Sequence, residues 1–333
     1  MRKILMATGL IFLISIACTS PTDWDNDNLN IPEFNFPKSV VFEKTLSAYN
    51  IFEGAPKDLI PTSNFHLLEL SSTLFTDYAQ KQRLIKVPTG TQMKNNGDGT
   101  IDFPNGTILV KTFYYYHDER DPNLGKRIIE SRLLIKENDT WNAATYIWDQ
   151  TQKDARLELD GFDTKVKWIS KNGNNNSIFY HLPRQNECFT CHQSNSAITP
   201  LGPTLRNLNR SVQRNDEPIN QITYLQSIGL INNFHISEMP TIVDYKNLEA
   251  SLAERARAYL AMNCEHCHNP SGWKKANERR FDFRYEIPLG QTGILSRREK
   301  IARTLVNGRM PYIGTTMIDE EGIRLITAYL NSL

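Results

Sequence analysis

Cysteine is scarce in this chain. There are five in 333 residues, and each belongs to a recognisable pattern. Four form two C-x-x-C pairs, Cys188/Cys191 and Cys264/Cys267, and the fifth, Cys18, closes an apolar N-terminal stretch. No cysteine is left for a disulfide framework. Long hydrophobic runs are missing too. The stretch over residues 4–16 is too short for a comfortable transmembrane helix and has the length of a secretory signal core. Charge of one sign is not in excess: the net formal charge is +1, which argues against a nucleic-acid partner. No repeat of fixed period is visible. What is present suits a folded chain of one to three domains, with 40% hydrophobic and 23% charged residues.

The N-terminus reads as an export signal. Arg2 and Lys3 precede the apolar stretch, which ends in Ser15-Ile16-Ala17-Cys18. A small residue before a cysteine at this place resembles the lipobox of bacterial lipoproteins, although Ser15 stands where leucine is usual. The resemblance implies cleavage before Cys18 and a lipid anchor to the membrane; the alternative is a plain secretory signal with an incidental cysteine. Residues 19–36, rich in Thr, Ser, Pro, Asp and Asn, read as a flexible tether.

From 37 to 183 the signals are mostly β. Residues 107–116, 127–136, 141–148, 155–159, 166–169 and 178–182 are short runs rich in β-branched and aromatic residues, separated by Gly, Asn, Asp and Pro. They predict a sandwich-like β-rich domain, with residues 64–84 helical or irregular. Asn96-Gly97-Asp98-Gly99 echoes a calcium loop, but the positions that need acids hold Lys94 and Asn105, so it reads as a turn between strands. Beyond residue 200 the pattern changes. Residues 219–230 are compatible with a helix, 248–262 repeat apolar residues at helical spacing, and a last helix begins near Asp319. Ser251 and Glu254 fit a capping box, which would shorten the second of these. The expected fold class is therefore multidomain α+β. A β-rich domain at 37–183 precedes a mainly α-helical region made of a first cofactor segment at 184–245 and a second at 246–333.

Both C-x-x-C pairs continue into histidine: Cys188-Phe189-Thr190-Cys191-His192 and Cys264-Glu265-His266-Cys267-His268. C-x-x-C-H is the attachment motif of c-type haem. Two thiols add across the haem vinyl groups, and the adjacent histidine supplies the proximal nitrogen to iron. Zinc would want the two pairs closer than the 72 residues that separate Cys191 from Cys264. A thioredoxin-like site would want a βαβ setting, and disulfides within such tiny loops are strained.

The helix before Cys264, the motif, Met310-Pro311 and the terminal helix together resemble a class I cytochrome c domain. That resemblance makes Met310, 42 residues beyond His268, the sixth iron ligand, with Met317 in reserve. Around the first motif, Gly202-Pro203-Thr204-Leu205 resembles the class I segment whose proline carbonyl accepts the Nδ1–H of the haem histidine, so Pro203 is expected to orient His192. Met239, 47 residues after His192, is the candidate sixth ligand there; the competing reading is a buried loop methionine. His181, His235 and His117 are rivals. His266, between two haem cysteines, is expected to face outward. Lys274, Lys275, Arg279, Arg280, Arg297 and Arg298 read as a solvated surface, with haem propionates or an acidic partner as the functional alternative.

Segments 74–79, 103–107, 111–113, 130–134, 146–148, 202–209, 255–260 and, above all, 263–270 resemble an uncharacterised family of dihaem c-type cytochromes. The resemblance implies two covalent haems and an exported location. Members are often encoded beside a parallel β-helix protein, which implies a partner, but the family has no settled catalytic role. The expected function is electron transfer in the cell envelope between redox partner proteins. The alternatives are a dihaem peroxidase-like enzyme with one open haem, and a β-domain that binds a polysaccharide or other ligand through aromatics such as Phe113-Tyr114-Tyr115-Tyr116. That run is more simply sheet packing.

Overall fold

In the computed structural model, residues 40–333 are described, apart from 238, 274, 275, 277–279 and 312. The expected signal, Cys18 and the tether at 19–36 lie outside the described residues. Among those described, no helix is long and apolar enough to cross a membrane.

The protein is a mixed α/β chain built on one six-stranded antiparallel sheet. Its order is β1 (His66–Leu67), β2 (Gln80–Lys86), β5 (Ile108–Tyr116), β6 (Lys126–Glu137), β7 (Thr140–Trp148), β8 (Ala155–Glu158). Strands β3 (Lys94–Asn95) and β4 (Ile101–Asp102) flank the Asn-Gly-Asp-Gly turn expected there. The tight β6–β7 turn places Asn138 and Asp139 both at positive φ, which Asn and Asp tolerate better than most residues and which suits the strand twist.

Alternation along the strands divides the side chains between two faces. On one face Leu84, Val110, Leu133, Ala144, Tyr146 and Trp148 pack under Leu46, Ile51, Leu59 and Phe65 of the preceding chain. On the other, two apolar patches form. Ile85, Trp141 and Ala143 pack with residues of the first motif and the helices after it. Phe113, Tyr115, Ile129 and Ile147 pack against the hairpin of β9 (Phe162–Ile169) and β10 (Asn175–Leu182). The layer facing the sheet is thus a two-stranded hairpin beside helices, where a sandwich would have a second full sheet. The aromatic run splits as sheet packing demands, with Phe113 and Tyr115 buried and Tyr114 and Tyr116 half-buried.

The remaining elements are short. They comprise α1 (Gln185–His192), β11 (Gln193–Ser194), β12 (Ala197–Ile198), α2 (Leu205–Leu208), β13 (Ser211–Arg214), β14 (Glu217–Asn220), α3 (Gln221–Ser227), α4 (Leu252–Asn263), α5 (Ile294–Val306) and α6 (Glu320–Asn331). The region expected to be mainly helical is helical only in parts, interrupted by hairpins and long irregular runs. The Ser251/Glu254 box does shorten α4 at its start, with the Glu254 carboxylate accepting from Ser251 N–H. Asp319 caps α6 by accepting from Gly322 N–H. Helices α4, α5 and α6 share an apolar cluster built on Ala256, Leu260, Ile301, Leu305, Ile326 and Leu330. There Gly322 lies against the Tyr259 ring, whose hydroxyl donates to Asp319.

Candidate haem attachment site

The first motif lies on α1, directly after β10. The Glu187 carboxylate caps this helix by accepting from Arg184 N–H at 2.6 Å. Gln185 donates to the Ala143 carbonyl at 2.8 Å and ties the helix to β7. Phe189 is buried against the sheet, with Cys188 packed beside it. The chain then turns through β11 and β12, with Asn195 and Ser196 at positive φ, and brings Thr199 back over His192. Thr199 N–H donates to the His192 carbonyl at 2.6 Å, and His192 Nδ1 lies 2.9 Å from the Thr199 carbonyl. A carbonyl oxygen only accepts, so Nδ1 carries the proton and Nε2 keeps its lone pair. Burial pushes the His192 pKa down to about 4, so the ring is neutral.

The expected role of Pro203 is therefore corrected: the Thr199 carbonyl orients His192. The β11–β12 hairpin closes the loop so soon that Thr199 reaches the ring before the chain comes to Pro203.

The second motif unwinds from the C-terminus of α4. Cys267 N–H and His268 N–H both donate to the Cys264 carbonyl, which makes a tight turn. Arg206, from α2, donates twice to the Glu265 carboxylate at 2.9 and 3.0 Å and also pairs with Glu286. His268 is buried with the Phe281 and Phe283 rings edge-on to it, at 5.6 and 5.4 Å between centroids. Its carbonyl accepts from Phe283 N–H.

The two motifs, far apart in sequence, meet. Donor atoms of Cys191, His266 and Cys267 lie within 4.8 Å of one another. Cys267 Sγ is 3.9 Å from the Thr190 carbonyl, and Asn195 N–H donates to the Ser271 carbonyl at 3.0 Å. His266, expected to face outward, faces the other motif. All four cysteines are free thiols. Burial pushes Cys188 up to about 11 and Cys264 up to about 12. The neighbouring Cys267 thiol, with His266, holds the Cys191 pKa well below the usual thiol value, while Cys191 and burial push that of Cys267 up.

No protein-family model, curated protein or solved structure matches this chain. The site is therefore read from its own chemistry. Met310 packs into the apolar cluster that holds Cys264 and Phe281. Met239 packs against the cluster that holds Cys188, but it also lines a surface cleft of about 340 Å³ with Arg206, Pro240 and Glu286. Met317 packs against the hairpin cluster. Among the rival histidines, His181 is held at both nitrogens by carboxylates, Asp163 at 2.6 Å and Glu187 at 3.4 Å. His235 is exposed, and His117 borders a shallow cavity beside β9 and β10. Of the basic residues near the second motif, Lys274, Lys275 and Arg279 lie outside the described residues. Arg280 and Arg298 are exposed, and Arg297 covers the Phe281 ring.

Three features escaped sequence reasoning. Arg206, on α2, holds Glu265 of the second motif. Asp77 accepts from Thr316 N–H, Thr316 Oγ1 and Met317 N–H, each at 2.9 Å, and so binds the C-terminal loop to the start of β2. Lys81, Arg83, Lys111 and Arg132 point from the sheet toward the first motif's side. The one available signal was Gln80-Lys81-Gln82-Arg83, a strand start with no apolar residue in either phase.

Proposed function

We propose that this chain is a dihaem c-type cytochrome of the uncharacterised family it resembles. In this reading it is lipid-anchored through Cys18 in the cell envelope and transfers electrons between redox partner proteins, one of them a parallel β-helix protein. Cys188 and Cys191 would hold one haem and Cys264 and Cys267 the other, with His192 and His268 as proximal ligands. The residues fit such a group. His192 offers an unprotonated Nε2 and has its other nitrogen anchored to a carbonyl, the arrangement that fixes a ligand's tautomer and orientation. All four cysteines are free thiols able to form thioethers. When bound, each haem supplies a one-electron iron centre whose potential its axial ligands and surroundings set.

The observation that carries the electron-transfer reading is the contact between the motifs at Cys191, His266 and Cys267. Groups tethered at two touching segments are neighbours. The chain's own part is then to hold both close, exclude water with Phe189, Phe281 and Phe283, and fix the histidine rings. Met310 is the proposed sixth ligand of the second haem, and Met239 of the first.

A second reading follows from Met239 lining an open cleft. If that sulfur does not reach the first iron, one coordination position is open and the protein is a peroxidase-like enzyme. Absorption and EPR spectra of the purified holo-protein, with and without carbon monoxide, separate the two. The carrier reading expects two low-spin irons, a weak near-infrared methionine band that Met310→Ala diminishes, and no carbon monoxide uptake. A high-spin iron that takes up carbon monoxide would overturn it in favour of the enzyme.

A further inference from the structure

The face of the sheet toward the first motif carries a stripe of cations between its two apolar patches. Register sets it out: Arg83 pairs with Lys111, Lys111 with Arg132, and Arg132 with Thr145, so three cations stand side by side across β2, β5 and β6. One step along the strands lie Lys81, Phe113, Glu130 and Ile147. One step the other way lie Ile85, Leu109, Leu134 and Ala143, the rows on which Phe189 and Cys188 pack.

Charge does not balance here. Arg132 is neutralised by Glu130 through two bonds of 2.6 and 2.8 Å, and Tyr180 donates to the same carboxylate. Lys81 donates only to the Leu74 carbonyl, and Lys111 rests over the Phe113 ring. Among the described residues, Lys81, Arg83 and Lys111 have no ion-pair partner. All three are strongly desolvated, which brings Lys81 down to about 7, Arg83 to about 10 and Lys111 well below the usual lysine range, so each holds its charge best with an anion beside it; yet each keeps some accessible surface. Directly opposed like charges destabilise a sheet, and a buried charge without a partner is costly. A fold that sets three such cations beside one another calls for an anion between them.

We propose that Arg83, Lys111 and Lys81 form a binding site for a pair of carboxylates, and that these are the propionates of the haem held by Cys188 and Cys191. The match is in chemistry and place. A haem brings two carboxylates on one edge, and Arg and Lys are the residues that pair with them. The stripe adjoins the sheet row that seats Cys188, and Lys111 and Arg132 are near enough to act electrostatically on His192. The β-domain then has a purpose: it is one wall of the first haem site. The source of the carboxylates rests on the dihaem reading. The site itself does not, since a free dicarboxylate has the same chemistry.

The test uses the full-length holo-protein and the variants Arg83→Gln and Lys111→Gln, with Arg83→Lys and Lys111→Arg as charge-keeping controls. Haem content by pyridine haemochrome comes first. In haem-loaded protein, the charge-removing variants should lower the midpoint potential of one haem and leave the other unmoved. They should also shift the propionate bending bands in resonance Raman, while the controls stay near wild type. If potentials and bands stay unchanged but calorimetry finds succinate bound by wild type and not by Arg83→Gln, the site stands and its ligand is a free dicarboxylate. Unchanged potentials and bands in correctly loaded variants, with no succinate binding, overturn the proposal. Absence of covalent haem overturns the cytochrome reading instead, and the succinate titration then decides the site alone.

Discussion

His192 is fixed at two points by one residue, since Thr199 takes the ring Nδ1–H and gives its own N–H to the His192 carbonyl. Nothing in the residue type of Thr199 announces this, because both bonds use backbone. That is why a proline eleven residues on seemed the better candidate, while the cysteines and histidines of the motifs, whose spacing is itself the chemistry, were plain in the sequence. His181 shows the same limit: as a bare histidine it was a rival ligand, and its engagement appears only once β9 and α1 are placed. Glu187, with Asp163, holds its pKa up to about 9 against burial. A raised histidine pKa contributes stability that is full below its unfolded value near 6.5 and is lost as pH rises through about 9. His181→Gln should therefore cost up to about 1 kcal/mol at pH 6, the range of exposed ion pairs, and nothing measurable at pH 10. Urea unfolding at the two pH values checks it, and an equal cost at both would contradict the assignment.

At the scale of elements, strands with period-two alternation and helices with capping residues were legible. The runs at 107–116, 127–136 and 141–148 correspond to β5, β6 and β7, and Ser251 with Glu254 opens α4. Strand β2 was not legible, because its first half faces inward with Lys81 and Arg83 where apolar residues would mark a core. Helix α5 was also missed, since Arg297 interrupts its helical backbone and charged residues dominate its first turns. The packing of α4 on α6 makes a sharp prediction. A Cβ at Gly322 would overlap three ring and hydroxyl atoms of Tyr259. Gly322→Ala must therefore displace the ring and weaken its bond to Asp319. The expected loss is about 2–3 kcal/mol by overpacking, despite alanine's better helix propensity. Denaturant unfolding reads this directly, and a neutral or stabilising result would contradict the helix contact.

For the whole molecule, the sequence separated what the fold joins. The two motifs were assigned to successive regions, 184–245 and 246–333, yet they touch, and Arg206, on a helix that follows the first motif, holds Glu265 inside the second. Such long-range pairing leaves no periodic trace. Arg206→Met would strand the largely buried Glu265 carboxylate and is expected to destabilise the protein by about 3 kcal/mol. The double variant with Glu265→Gln should recover much of that loss, a coupling that a thermodynamic cycle measures. Asp77 plays the matching part for the C-terminal loop. Asp77→Asn, which keeps the shape but weakens acceptance, should increase amide exchange at Thr316 and Met317 before any global unfolding.

The central claim is that both motifs carry covalent haem. The most direct measurement is the intact mass of protein purified from a host that matures c-type cytochromes, read with thiol titration under denaturing conditions. Two added haem masses, with no reactive thiol at Cys188, Cys191, Cys264 or Cys267, is the predicted result, and Cys188→Ala/Cys191→Ala should retain one haem. A chain of unmodified mass with all four of those thiols reactive would contradict it.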